Sequence, residues 1–196
     1  MYKGNIMNKK LLAWAGGAVV GLGIAYIAAV AVDLTGRDTF CVSCHEMEPM
    51  VEAFHKSVHG GNNPHGFKAA HCTDCHLDHS SLASYLVSKG ISGGRDFLAK
   101  IGVIHMVDFE ENYHEMKHYT YDNGCLHCHE MVAEPEKAFG MSESARFAHE
   151  TYVKDKKAGK DVSCLNCHND TIMPNFAHPG LLDTLRNQKE AQKEEK

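Results

Sequence analysis

The pentapeptide Cys-x-x-Cys-His occurs four times in this chain and claims every cysteine in it. The copies are Cys41-Val42-Ser43-Cys44-His45, Cys72-Thr73-Asp74-Cys75-His76, Cys125-Leu126-His127-Cys128-His129 and Cys164-Leu165-Asn166-Cys167-His168. Two thiols three residues apart can form thioethers to the vinyl groups of one haem, and the adjacent His can ligate its iron. A single Cys-x-x-Cys also reads as a redox disulfide or half of a zinc site. Four copies that leave none of the 8 cysteines spare favour haem over both. The pattern predicts four covalent haem c groups, held by Cys41, Cys44, Cys72, Cys75, Cys125, Cys128, Cys164 and Cys167. His45, His76, His129 and His168 are the proximal ligands.

Four haems also decide the fold class. Outside the N-terminal apolar run, Val, Ile and Leu come in short pieces, and such a chain buries little core unaided. Haem supplies the missing apolar mass. The expected fold is mainly α with little regular secondary structure, with each motif on a helical turn and no strand pattern. The net charge of −5 and the lack of a basic patch with interleaved aromatics exclude nucleic acid as a partner.

Residues 1–10 carry Lys3, Lys9 and Lys10 and no acid; Leu11 to Val32 follow without a charge. Such a run spans a hydrocarbon core of ~30 Å as a helix. Basic residues before it and Asp33 after it keep the N-terminus inside and export the rest. Ala29-Val30-Ala31 resembles a signal cleavage site, but the run exceeds the ~7–15 apolar residues of a signal peptide, which favours an uncleaved anchor. Gly17 and Gly21 form a small-residue face that could pair two such helices in a homo-oligomer. The expected division is a cytoplasmic N-terminus (1–10), a transmembrane anchor (11–32), a periplasmic haem domain (33–186) and a charged, solvated tail (187–196). The link 33–40 is short, so the first motif sits at the membrane surface.

The haem domain reads as an internal repeat, with halves near 38–80 and 105–180. The first and second motifs, and the third and fourth, are separated by similar distances. Each half runs motif, free His, motif, free His: His59 and His79 in one, His149 and His178 in the other. A segment joins the halves, expected as a helix (81–89), a Gly-rich turn (90–94) and a second helical stretch (97–113). The 15 His exceed what four irons need. His59, His149 and His178 gain weight as distal ligands from the repeat. His105 gains it from its apolar flanks, where a buried unpaired His is costly, and His114 is held in reserve. His127, inside a motif, and His71, directly before Cys72, read as incidental. The first motif has no His partner in its own half. Met47, two residues past His45, is a second soft ligand for that iron, so this haem is the one to keep an open or weakly held site.

A haem row on a transmembrane helix, with its unusual member at the bilayer, points to electron entry from a lipid-soluble donor. Quinol oxidation also needs a proton acceptor in reach. Asp78, His79 and Lys89, just after the second motif, are the candidates. The single N-terminal helix, the four motifs and the Cys-x-x-Cys-His-x-Met opening resemble the NapC/NirT family of membrane-bound tetrahaem quinol dehydrogenases. Family members resemble this chain also at Ser57-Val58-His59, His105, His149 and Ala177-His178, which the resemblance makes distal or near-haem ligands. Lys89-Gly90-Ile91-Ser92-Gly93 resembles the NrfH-type branch, where a Lys here lies by the quinol pocket. The family often has an Asp four residues after the second-motif His; here that place is Ser80. The resemblance implies transfer from menaquinol or ubiquinol, haem by haem, to a periplasmic multihaem reductase. For the NrfH-type branch that partner is the ammonia-forming nitrite reductase. Alternatives are a NapC- or CymA-type donor to nitrate reductase or several acceptors, a terminal reductase with an open haem, and an inter-protein relay without a quinol site.

Overall fold

The computed structural model describes residues 3–194, all of its regular structure helical. The first helix, α1, runs Lys3–Leu34. Within it Lys9–Leu34, 26 residues, is long and apolar enough to cross a membrane, at 1.5 Å per residue about 39 Å. It extends beyond the expected span at both ends. Thr35 Oγ1 donates to Ala31 O (2.7 Å) and Arg37 pairs with Asp33 (2.6 Å), which closes its last turn.

Three residues later comes α2 (Asp38–Cys41), which delivers the first motif. A 3₁₀ turn at His45–Met47 leads into α3 (Glu48–His55), and α4 (Cys72–His76) is the second motif itself. The joining segment holds α5 (Leu82–Lys100) and α6 (Phe109–His114). The third motif ends α7 (Asp122–Cys128); α8 (Glu143–Lys157) precedes the fourth, which lies on the 3₁₀ turn Cys164–Asn166; α9 (Leu181–Glu194) closes the described chain.

The joining segment differs from expectation in two ways. No turn forms at 90–94: α5 passes through Gly90, Gly93 and Gly94 without a break. Each glycine costs about 1 kcal/mol against Ala in a helix. The Ser81 side chain, which caps Ser84 N–H at 3.0 Å, and the packing of the Ser88 face offset that cost. The expected helix over 97–113 is broken instead at Gly102 (φ +76°). Val103 N–H closes back on Leu98 O (2.9 Å), the six-residue lock of a glycine-terminated helix. Asp108 then caps α6 through Glu110 N–H at 3.0 Å.

The buried apolar set is small: Ala53, Phe54, Ala70, Leu77, Ala138 and Leu181, with Pro135 also enclosed. The halves meet where α4 packs on α7. Tyr121 N–H donates to Cys75 O (2.9 Å), and a Cβ on Gly124 would sit 2.0 Å from Asp74 O, so only glycine lets these backbones approach. α9 packs on α3 and α6. Lys189 reaches Asp108 (2.9 Å) and Glu110 (3.3 Å), and Arg186 reaches Glu110 (3.0 Å). The charged tail from 187, expected as a solvated helical or frayed segment, is helical as far as Glu194 with its described side chains exposed, and Lys189 is in the ion pairs above; its residues 195–196 lie outside the described part. Gly17 and Gly21 touch nothing within the chain.

Gly124→Ala is expected to destabilise the haem-loaded protein by about 1–3 kcal/mol, the usual cost of overpacking. Gly93→Ala, with open space around it, is expected to be neutral or to stabilise by up to ~1 kcal/mol. Denaturant unfolding of both variants checks this; equal effects would refute the close-approach argument.

Candidate haem sites and the membrane-level groove

The four motifs stand in a row in chain order. The thiols of Cys41 and Cys72 adjoin, as do those of Cys125 and Cys164, and the α4–α7 contact joins the two pairs.

Each pair is tied by a buried or half-buried carboxylate placed three residues before its first cysteine. Asp38 precedes Cys41. It accepts from the N–H of Cys72 (3.2 Å), approaches the Cys72 thiol (3.3 Å) and pairs with Lys68 and His71. Asp122 precedes Cys125. It accepts from the N–H of Cys164 (3.0 Å), from Ser163 Oγ (2.7 Å) and Tyr152 Oη (2.8 Å), and pairs with Lys156 (3.0 Å). Burial opposes ionisation of both, yet these donors outweigh it and hold both below the usual carboxylate range. The repeat is thus expressed as one device used twice, and neither aspartate was singled out from the sequence. The signal was present as Asp-x-x-Cys before the first and third motifs.

Two motif histidines face a second histidine, and a third has one nearby. His129 meets His59 at a ring-centroid distance of 6.3 Å, and His168 meets His149 at 5.9 Å with near-parallel rings. His178 lies close enough to His76 that, after burial, the second ring's charge is the next cause pushing its pKa down to about 4. Two imidazoles bound to one iron by bonds of about 2 Å hold their ring centres roughly 6 Å apart. Orientation agrees: His59 Nδ1 meets Phe176 O (2.9 Å) and His76 Nδ1 meets Tyr119 O (2.6 Å), which leaves Nε2 free for a metal. His149 Nδ1 is buried without a partner. His76 is surrounded by protein, which lowers its pKa, while its ring stays accessible. Two free thiols within each motif, with the adjacent imidazole of the second and third motifs near another histidine, fit haem c. Among the described residues no three His, Cys, Asp or Glu side chains converge to hold a bare metal ion.

The pairing crosses between the halves in a way the repeat did not predict. His59, from the first half, faces the third motif; His178, from the second, lies by the second motif. Only His149 faces a motif of its own half. His105 is exposed in the loop after α5, not buried as its apolar neighbours implied, and His114 sits edge-on to Tyr113. Neither shares a ring contact with a motif histidine among the described residues.

The first motif is different. The His45 side chain is 80% exposed, with Glu46 Oε1 at 3.3 Å from its Nε2, and Lys100 donates to the same oxygen (2.8 Å). Met47 is half-buried in the same 3₁₀ turn. A groove of about 400 Å³ opens between the end of α1 (Ala29, Val32, Asp33), the link that leads to this motif (Gly36, Arg37), His71 and Thr73 of the second-motif segment, and Tyr85 of α5. Lys89 reaches its edge: Nζ lies 3.5 Å from where a Gly36 Cβ would be. Burial lowers the Lys89 pKa, which the neighbouring Cys41 opposes. Asp96, two turns further along the same face of α5, also acts on Cys41. It is open to solvent at one side and crowded at the other; that desolvation raises its pKa against Arg95 and His76. Asp96 was missed in the sequence, where its seven-residue offset from Lys89 was the available signal.

Asp78 and His79 are engaged elsewhere. The Asp78 carboxylate accepts from Asn123 Nδ2 (2.6 Å) and Ser80 N–H (2.8 Å). His79 Nε2 lies at Thr73 O (3.0 Å), and its ring packs on Tyr85 and His127. Both support the contact between second and third motifs.

Comparison with known proteins gives the family. Residues 5–178 match the NapC/NirT cytochrome c family, N-terminal region. The chain belongs to the NapC/NirT cytochrome c family. These are membrane-anchored electron-transfer c-type cytochromes. Similar proteins include cytochrome c-type protein TorC of Escherichia coli K12, 29% identical over 78% of this chain and 39% of TorC. NapC of the same strain is 26% identical over 70% of this chain and 68% of its own. Cytochrome c nitrite reductase subunit NrfH of Nitratidesulfovibrio vulgaris is 32% identical over 60% and 67%. The aligned part thus covers about two-fifths of the TorC length. No solved structure matches the chain.

Asp122→Ala removes the acceptor for the Cys164 N–H and leaves Lys156 unpaired, at a cost of about 1–3 kcal/mol. Intact-mass analysis is expected to show a reduced share of fully four-haem protein. An unchanged haem count and unfolding midpoint would refute the clamp.

Proposed function

We propose that the protein oxidises a lipid-soluble quinol, menaquinol or ubiquinol, at the bilayer and delivers the electrons to a periplasmic reductase. The N-terminus lies inside and the haem domain outside. The observation that carries this reading is the placement of Lys89 and Asp96 on one face of α5 near Cys41, with Lys89 at the edge of the groove at the end of the membrane helix. The apolar wall from Ala29 and Val32 suits a quinol ring. The Lys89 ammonium donates to a quinol oxygen and orients it. Oxidation releases protons with the electrons, and the Asp96 carboxylate takes up a proton; its raised pKa brings it towards the working pH.

Haem c, when bound at the four motifs, supplies one-electron acceptor chemistry. The chain's own part is spacing. Asp38 and Asp122 hold neighbouring motifs together, and the histidine pairs His76–His178, His129–His59 and His168–His149 fix three sites from both sides. The first site is left to Cys41, Cys44, His45 and Met47. Similarity to NrfH supports the multihaem nitrite reductase as the electron acceptor; similarity to NapC and TorC supports the alternative of other periplasmic reductases, nitrate reductase among them.

The test is anaerobic reduction of the purified four-haem protein by a menaquinol analogue, followed optically. Lys89→Leu and Asp96→Asn are each expected to slow it by roughly 10–100-fold, with haem content and dithionite reduction unchanged. Wild-type rates in both variants would contradict the site.

A further inference from the structure

Helix α5 has two faces of opposite character. One carries Tyr85, Ser88, Lys89 and Asp96 towards the first two motifs. The other carries Leu82, Leu86, Val87, Ile91, Phe97 and Leu98, all exposed; Leu82 is 75%, Ile91 67% and Phe97 63% accessible. At 3.6 residues per turn these six, with Gly90, Gly93, Gly94 and Ile101, occupy one half of the helix circumference. The four charged residues of the helix, Lys89, Arg95, Asp96 and Lys100, lie on the other half or at its border. The strip continues past the helix end into exposed Val103 and Met106. Scattered exposed apolar residues are ordinary, but a continuous charge-free stripe about 28 Å long marks an interaction surface.

The helix also lies against the membrane anchor. Tyr85 shares the groove with Ala29 and Val32 of α1, and Lys89 approaches Gly36, two residues after α1 ends. This brings α5 to the level at which the membrane anchor ends, with its exposed stripe on the side turned away from the groove. An apolar face bordered by Arg95 and Lys100 is also the pattern of a helix lying in a bilayer interface, where basic borders meet headgroups.

We propose that the apolar face of α5 is embedded in the bilayer interface and forms a second membrane contact beside α1. The contact fixes the haem domain's orientation on the membrane and keeps the Lys89–Asp96 face, which is turned to the first two motifs, at the level of the bilayer interface. A ligand dissolved in the bilayer then reaches the groove without crossing water. The contact itself does not depend on quinol oxidation, and its test does not measure electron transfer.

In the four-haem protein every native cysteine is bound, so an added cysteine is the sole free thiol. Ile91→Cys and Phe97→Cys, with Lys154→Cys on exposed α8 as reference, are made in the full chain and reconstituted into phospholipid vesicles with the haem domain outward. Intact mass verifies haem loading of each. A water-soluble maleimide is expected to label positions 91 and 97 at least roughly tenfold more slowly than position 154, while a lipid-soluble maleimide labels 91 and 97 readily. Labelling of 91 and 97 at the reference rate would overturn the proposal. So would protection that arises only when a soluble reductase is added, which would make the stripe a protein-docking face.

Discussion

Two carboxylates reaching forward onto the cysteine N–H group of the next motif organise this molecule. The apolar core is too small to define the arrangement of four haem motifs, since only a handful of side chains are buried. Asp38 and Asp122 do what a core does elsewhere. Each leaves the short helix that delivers one motif and accepts from the first cysteine of the next, with a lysine alongside. A partly buried carboxylate is costly without donors and specific with them. Each clamp therefore permits essentially one relative placement of its two motifs.

From that constraint the row follows. Two clamped pairs meet at the close approach of Gly124 to Asp74, and the order along the row becomes the order along the chain. The free histidines then cross the boundary: His59 reaches the third motif and His178 the second. The halves are interlocked by these ligand-bearing segments as well as by the α4–α7 contact. The first motif stands apart because α1 ends only six residues before it, and among the described residues no facing histidine pairs with His45. Its neighbours are the membrane anchor, Lys89 and Asp96. The end of the row that differs chemically is thus also the end at the bilayer.

Covalent attachment and the membrane anchor were legible in the sequence because both are local: a pentapeptide and an uninterrupted apolar run. His59, His149 and His178 could be singled out from spacing. Their cross-half placement could not, because a repeat in sequence does not say whether its copies exchange parts. The turn expected at Gly90–Gly94 failed for a related reason. Glycine propensity is a local cost of about 1 kcal/mol, and packing of the opposite face of α5 outweighs it. Asp78 and His79 stand close to the second motif in sequence but are held in the contact between the second and third motifs, whereas the helical period puts Asp96 on the same face of α5 as Lys89. Asp38 and Asp122 carried a visible Asp-x-x-Cys signal, but its meaning lies in contacts more than 30 residues away.

The central claim is that electrons enter this row from the membrane, at the first motif. The most direct measurement uses the wild-type four-haem protein alone in sealed vesicles loaded with menaquinol, under anaerobic conditions, with the α-band absorbance of reduced haem recorded against time. The account predicts that lipid-dissolved quinol reduces a substantial part of the haem that dithionite reduces, within seconds and with no second protein present. Absence of quinol-driven reduction in vesicles where dithionite reduces all four haems would contradict it.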